Sequence, residues 1–243
     1  MDMIENQVII ITGASSGLGK ALATAFAKQG AKLAICARNE ERLYKVEHQL
    51  INQGAEVLAV KADVSRREDV DRFISLAEDR FGKVDVLINN ASVFGPGPSL
   101  LVDYPTEAFQ NVLKLNTLSV FLVTKRVLPG MLIRDSGSII NVTSEAGATG
   151  FAEWGAYGIS KFALEGLTET WADELQKTKI RVNMVDPGEM DTPMHDVAVP
   201  DCDYELGSPE NRVDVFLYLA NATNVHGKRL EAQHFEAKGF GDL

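Results

Sequence analysis

Tyr157 and Lys161 stand four residues apart, a spacing that puts both side chains on one face of a helix. A free phenol has a pKa of about 10. An ammonium beside it favours the phenolate and draws that value down. A phenol tuned in this way exchanges protons with a substrate oxygen nearer to neutral pH. Ser144, thirteen residues before Tyr157, offers a hydroxyl just after a β-rich run, with Thr143 beside it as the alternative. A second group lies near the N-terminus, where Thr12-Gly13-Ala14-Ser15-Ser16-Gly17-Leu18-Gly19 follows the apolar run Val8 to Thr12. Glycines at a strand-to-helix turn let a phosphate approach the backbone closely. The helix that begins there directs unpaired N–H groups and a partial positive charge at the phosphate. The spacing T-G-x-x-x-G-x-G differs from the common G-x-G-x-x-G dinucleotide fingerprint.

These groups need a frame, and the pattern of the chain supplies one. Val8–Thr12, Lys32–Cys36, Glu56–Val60, Val84–Ile88, Ser138–Val142 and Ile180–Val185 read as short buried strands, with a last strand at Val225–Glu231. Between them lie amphipathic stretches. The first spans 17–29 and stops at Gly30, and Asn39 caps the next. Ser65–Phe81 follows, with Ser65 and Glu68 placed for a capping box. Thr106–Arg134 is expected to be disturbed near Pro129-Gly130. Glu153–Lys177 and Ser208–Leu219 complete the set. Such alternation predicts an α/β fold: a Rossmann-type, doubly wound parallel sheet of about seven strands with helices on both faces, in one domain spanning 1–243. Ligands of such sheets bind beyond the C-terminal strand ends.

Composition narrows the function further. The 243 residues are 45% hydrophobic and 24% charged, which suits a globular chain with a sizeable core. The net charge of −10 and the lack of a basic run argue against nucleic acid as a partner. Two cysteines without a CxxC offer neither a disulfide framework nor a metal site. Met1 to Gln7 lack the pattern of a signal peptide, no apolar run is long enough to span a bilayer, and Gly239 to Leu243 form no lipidation box. The expectation is a cytoplasmic protein without a membrane partner.

The glycine turn, the Tyr157/Lys161 pair and Ser144 together resemble the short-chain dehydrogenase/reductase family in its simple, unextended form, with matching motifs from Thr12 to Thr192. The resemblance implies four catalytic residues. Tyr157 is the acid–base, Ser144 binds the substrate oxygen, Lys161 tunes the tyrosine and holds the nicotinamide ribose, and Asn116 binds a water that links Lys161 to solvent. It also implies a cofactor site made of Gly13, Ser15, Ser16, Gly17, Leu18, Gly19, Arg38, Asp63, Val64, Asn90, Ala91, Tyr157, Lys161, Pro187, Gly188 and Thr192. Asp63 and the Val64 backbone would hold the adenine, and Asn90 and Ala91 would lie beside the ribose. Pro187-Gly188 would abut the nicotinamide, with Thr192 on its carboxamide. Ser92 stands where the family usually has glycine, so a local change of backbone is expected.

In this family an acidic residue at the place of Ala37 goes with NAD, and a basic residue in the next place goes with NADP. Arg38 therefore points to NADP(H), with NAD(H) possible. Many NADP members carry a second basic residue in the glycine turn, where this chain has Ser15 and Ser16. The implied reaction moves a hydride between NADP(H) and a small-molecule carbonyl or secondary alcohol. The alternatives are an NAD-dependent hydroxy-compound dehydrogenase and a non-catalytic NAD(P)-sensing protein. Substrate contacts are expected from loops at 92–99, 145–156 and 189–207. Phe151, Trp154, Met190 and Met194 are apolar candidates, and Glu153 and His195 are polar ones. The long helices at 106–134 and 153–177 resemble the family's dimer surface, which implies a homodimer or homotetramer. The tail at 225–233 departs from the family's usual Val-Asp-Gly-Gly turn.

Overall fold

Strands made of consecutive apolar residues need cover on both faces, and this chain supplies it. The structure is a computed structural model that describes residues 4–236. Met1 to Met3 and the Gly239–Leu243 segment read for lipidation lie outside them. Seven strands are described: β1 (Val8–Thr12), β2 (Lys32–Ala37), β3 (Val57–Lys61), β4 (Val86–Asn89), β5 (Gly137–Val142), β6 (Ile180–Asp186) and β7 (Arg229–Glu231). They form one parallel sheet in the order β3-β2-β1-β4-β5-β6-β7. The order reverses between β1 and β4. That reversal opens a crevice at their C-terminal ends, where the glycine turn and Asn90 follow the two strands.

Helices α1 (Gly17–Lys28) and α2 (Glu40–Ile51) pack on one face, and α3 (Arg67–Phe81) on the other. The chain then forms α4 (Thr106–Leu113), α5 (Ser119–Arg134), α6 (Gly155–Glu174), α7 (Pro193–Ala198) and α8 (Asp214–Asn221). Phe26 and Phe216 fill the first face beneath α1 and α8, and Phe73 fills the second beneath α3, all fully buried. Each such burial contributes about 1.5–3 kcal/mol relative to an exposed ring. None of the helices is long and apolar enough to cross a membrane, among the described residues.

Several boundaries differ from the sequence reading. The long helix is interrupted at Lys114–Leu118, where it widens into a π-turn, and not at Pro129. Pro129 and the Lys125 carbonyl it leaves unpaired lie on the exposed side of α5, where water can satisfy the carbonyl. The Ser65/Glu68 capping box does not form, because the N-cap of α3 falls one residue later, at Arg66. Asp63 and Asp69 organise that turn instead, accepting from the Ser65 and Asp63 N–H groups at 3.0 and 2.9 Å. The Ser208–Leu219 helix divides into a 3₁₀ turn at Pro209–Arg212 and α8. The last strand is shorter than predicted. Before it, the Asn183 side chain bonds the Val225 carbonyl and the Lys228 N–H, beside backbone bonds from the Gly227 N–H to the Val182 carbonyl and from the Met184 N–H to the Lys228 carbonyl.

Beneath the crevice runs a buried polar chain. Asn89 Nδ2 donates to Asn141 Oδ1 at 2.8 Å and to Thr124 at 3.1 Å, and Asn141 Nδ2 donates to Thr168 at 2.9 Å. It ties β4 and β5 to α5 and α6, fixing the strand ends from which the site is built. Asn141→Leu keeps the branched shape but strands buried partners, so we expect a loss of about 2–3 kcal/mol of stability. Urea denaturation of the variant against wild type checks this.

Candidate active site

The glycine turn is fastened from both sides. The Gly13 and Ala14 N–H groups donate to the Cys36 carbonyl at 2.9 and 3.1 Å. Asn90 Nδ2 donates to the carbonyls of Thr12 and Gly13, and Thr12 Oγ1 accepts from the Asn90 and Ala91 N–H groups, both at 3.0 Å. Gly13 takes φ +70°, and a Cβ there would lie 2.8 Å from Ala91 Cα. Gly19 has ordinary φ, but a Cβ would strike the Gly13 carbonyl and the Asn90 amide. Both positions therefore exclude a side chain for reasons of contact. The turn opens onto a cavity of about 1070 Å³ that runs to the C-terminal ends of β5 and β6.

At its far end, α6 carries Tyr157 and Lys161, both buried. Ser144, in the turn after β5, lies beside the Tyr157 phenol, where its hydroxyl favours the phenolate, and accepts from the Ala146 N–H at 3.3 Å. Lys161 Nζ lies 5.4 Å from the Tyr157 ring centre and donates to the Val142 carbonyl at 2.8 Å. Thr143, the alternative hydroxyl, is committed to Glu165 at 2.7 Å, which leaves Ser144 as the one facing Tyr157. The π-turn aims Asn116 at the segment that follows β4. Its Oδ1 accepts from the Val93 N–H at 2.9 Å, and its Nδ2 donates to the Val93 carbonyl and to Ser160 Oγ. Asn116 thus pins the wall of the cavity to α6.

The sequence pattern matches the short chain dehydrogenase family profile over residues 7–203. The chain belongs to that family. A 3-oxoacyl-(acyl-carrier-protein) reductase of Synechocystis is 39% identical over 195 residues, covering 80% of this chain and 78% of the relative. Among solved structures, an actinorhodin polyketide ketoreductase with NADPH matches with a TM-score of 0.87 and 30% identity, over 95% of this chain and 97% of that one. A 3-ketoacyl-(acyl-carrier-protein) reductase from Brucella melitensis, complexed with NADH, matches with a TM-score of 0.88 and 30% identity, over 94% and 97%.

In this short-chain dehydrogenase, Gly13, Ser15, Ser16, Gly17, Leu18, Gly19, Arg38, Val64, Asn90, Ala91, Pro187, Gly188 and Thr192 all line the one cavity. Asp63 does not. It borders a smaller hollow of about 330 Å³ that shares Arg38 with the main cavity. Thr192 is the N-cap of α7, its hydroxyl accepting from the His195 N–H at 3.3 Å. Ser92 needs no positive φ, so its backbone tolerates the exchange of glycine for serine. Its buried hydroxyl has no partner among the described residues.

Burial pushes the Tyr157 phenol up to about 12, Ser144 opposes this, and the Asp186 carboxylate raises it further. Lys161 itself is pulled down to about 8 by burial, against the opposing fields of Asp186 and Glu165. Those carboxylates are bridged by Arg229, which the sequence reading missed. Its guanidinium meets Glu165 at 3.1 Å, Asp186 at 2.8 Å and Glu231 at 3.2 Å, and donates to the Ser144 carbonyl at 3.2 Å. No local pattern pairs β7 with α6 and β6, so only the departure of the tail from the family hinted at it. Arg229→Met leaves two largely buried carboxylates without their cation, and we expect a loss of about 2–3 kcal/mol. Thermal or urea denaturation of the variant measures it.

Proposed function

We propose that this oxidoreductase reduces a small-molecule ketone or aldehyde with NADPH, and runs the reverse oxidation with NADP⁺. The observation that carries the reading is Ser144, Tyr157 and Lys161 converging at the end of the glycine-lined cavity. The residues present fit a dinucleotide: a turn in which Gly13 and Gly19 leave no room for side chains, followed by the N-terminus of α1. Arg38 borders the cavity, is exposed and has no ion-pair partner among the described residues, which suits a 2′-phosphate. Solved structures similar to this chain hold NADPH in one case and NADH in another, which is consistent with NADP(H) as cofactor and NAD(H) as the second.

The bound nicotinamide supplies or accepts the hydride. Within the protein, Ser144 holds the carbonyl oxygen, and Tyr157 delivers the proton that this oxygen needs as negative charge builds on it. Lys161 keeps positive charge beside the phenolate that remains. Asn116 is a positioning residue, holding Val93 and Ser160 so that α6 presents Tyr157 to the cavity. Leu118, Ile159 and Phe162 are large apolar residues left exposed on and beside α6, which supports a homodimer or homotetramer formed through this face.

Tyr157→Phe is expected to lower kcat by roughly 10²–10⁴-fold while the protein still quenches on titration with NADPH. Unchanged turnover would show that the proton comes from elsewhere. Arg38→Asp is expected to weaken NADPH binding by about tenfold or more while NADH binding weakens less. Fluorescence titrations with both cofactors measure the difference, and an equal effect on both removes Arg38 from cofactor selection.

A further inference from the structure

Beyond Tyr157, the cavity has two kinds of wall. One is aromatic. Phe94 packs edge-on to Trp154 at 5.2 Å and against Tyr157 at 5.3 Å, and Phe151 meets Trp154 at 5.7 Å. The other is a hydrogen-bond acceptor built by the 189–207 loop. Glu189 Oε1 accepts from the Tyr204 hydroxyl at 2.7 Å and faces His195 Nε2 at 3.2 Å. A carboxylate oxygen only accepts, so Nε2 carries the proton between them. Both contacts fall on the same oxygen, and Oε2 has no partner among the described residues. His195 is only 7% exposed, and its Nδ1 is buried without a partner among the described residues. In the neutral ring that nitrogen is a second bare acceptor. Glu189 and His195 both line the cavity.

The cations of the cavity are paired or stand away from this end of it. Arg229 is held by Glu165, Asp186 and Glu231, Lys161 serves Tyr157, and Arg38 stands near the glycine turn. Among the described residues, no other Lys or Arg of the lining remains to receive an anionic substrate group.

Resting on the reductase reading above, we propose that Glu189, clamped by Tyr204 and His195, is the specificity residue for a carbonyl substrate with a flat apolar body and a hydroxyl or ammonium group remote from the carbonyl. The apolar body lies against Phe94, Phe151 and Trp154, and the donor bonds Glu189. Substrates that end in a carboxylate, or that are presented on an anionic acyl thioester, are disfavoured by the same charge.

The test is a matched panel of aryl ketones assayed with NADPH: the neutral parent and its hydroxymethyl, aminomethyl and carboxylate derivatives, with acetoacetyl-coenzyme A as the thioester. Kd values for each are read in parallel from tryptophan quenching. We expect at least one donor-bearing ketone to exceed the carboxylate and the thioester by about tenfold or more in kcat/KM, chiefly through KM and Kd. The relative size of the hydroxyl and ammonium effects identifies which donor the site takes. Glu189→Gln should reduce kcat/KM for that donor-bearing ketone about tenfold more than for the parent, and Tyr204→Phe should act in the same direction more weakly. Equal losses across the panel, or a carboxylate or thioester used as well as the donors, would overturn the inference while turnover of the parent upheld the reductase reading. No NADPH oxidation with any member would overturn both.

Discussion

One buried ammonium governs this structure. Lys161 sits in the interior beside Tyr157, where a charge is costly unless the surroundings answer it. Its answer comes from three elements at once: the Val142 carbonyl at the end of β5, Glu165 one turn along α6, and Asp186 at the end of β6. Two carboxylates against one ammonium overcompensate, and Arg229 from β7 restores the balance while also holding the Ser144 carbonyl. The short last strand therefore has a use beyond closing the sheet. It delivers a cation to the floor of the site.

The parallel sheet is what makes this convergence possible. All its strands point the same way, so the turn after β1, the Asn90 segment after β4, Ser144 after β5 and Pro187-Gly188 after β6 arrive at one edge. The buried Asn89–Asn141 chain beneath them holds those ends at fixed height. The loops above carry little of this load: the Ser99 N–H bonds the Glu153 carbonyl at 3.0 Å, and the 189–207 loop is braced through Glu189. Scaffold and cofactor cradle are rigid by packing, and the substrate walls are built from side chains that sequence change can replace.

Much of the frame was legible in the sequence because burial on both faces leaves apolar runs that local reading detects. The strands from Val8 to Val185, the Asn39 cap and the glycine turn all follow from such local rules. The exceptions are tertiary. Pro129 reads as a helix breaker but faces outward, whereas the real interruption at Asn116 answers a hydrogen bond to Val93, twenty-three residues away. Ser65 and Glu68 have the spacing of a capping box, but Asp69 takes over the turn. Arg229 joins distant segments, and the Tyr204–Glu189–His195 clamp closes within one irregular loop, so neither has a periodic signature. The high pKa of Tyr157 was hidden for the same reason, because spacing shows that a cation is near but not how dry the site is.

The central claim is that burial holds Tyr157 as a neutral acid, ready to donate in reduction with NADPH, and that the positive charge arriving with NADP⁺ stabilises its phenolate. The direct measurement is a tyrosinate absorbance titration of wild type against Tyr157→Phe, with and without NADP⁺. Without cofactor, the difference should show one phenol that ionises only toward pH 12. With NADP⁺ bound, the same phenol should ionise at a pH lower by at least about one unit, a differential stabilisation of about 1.4 kcal/mol. A Tyr157 signal that titrates at the same pH in both states would contradict the account.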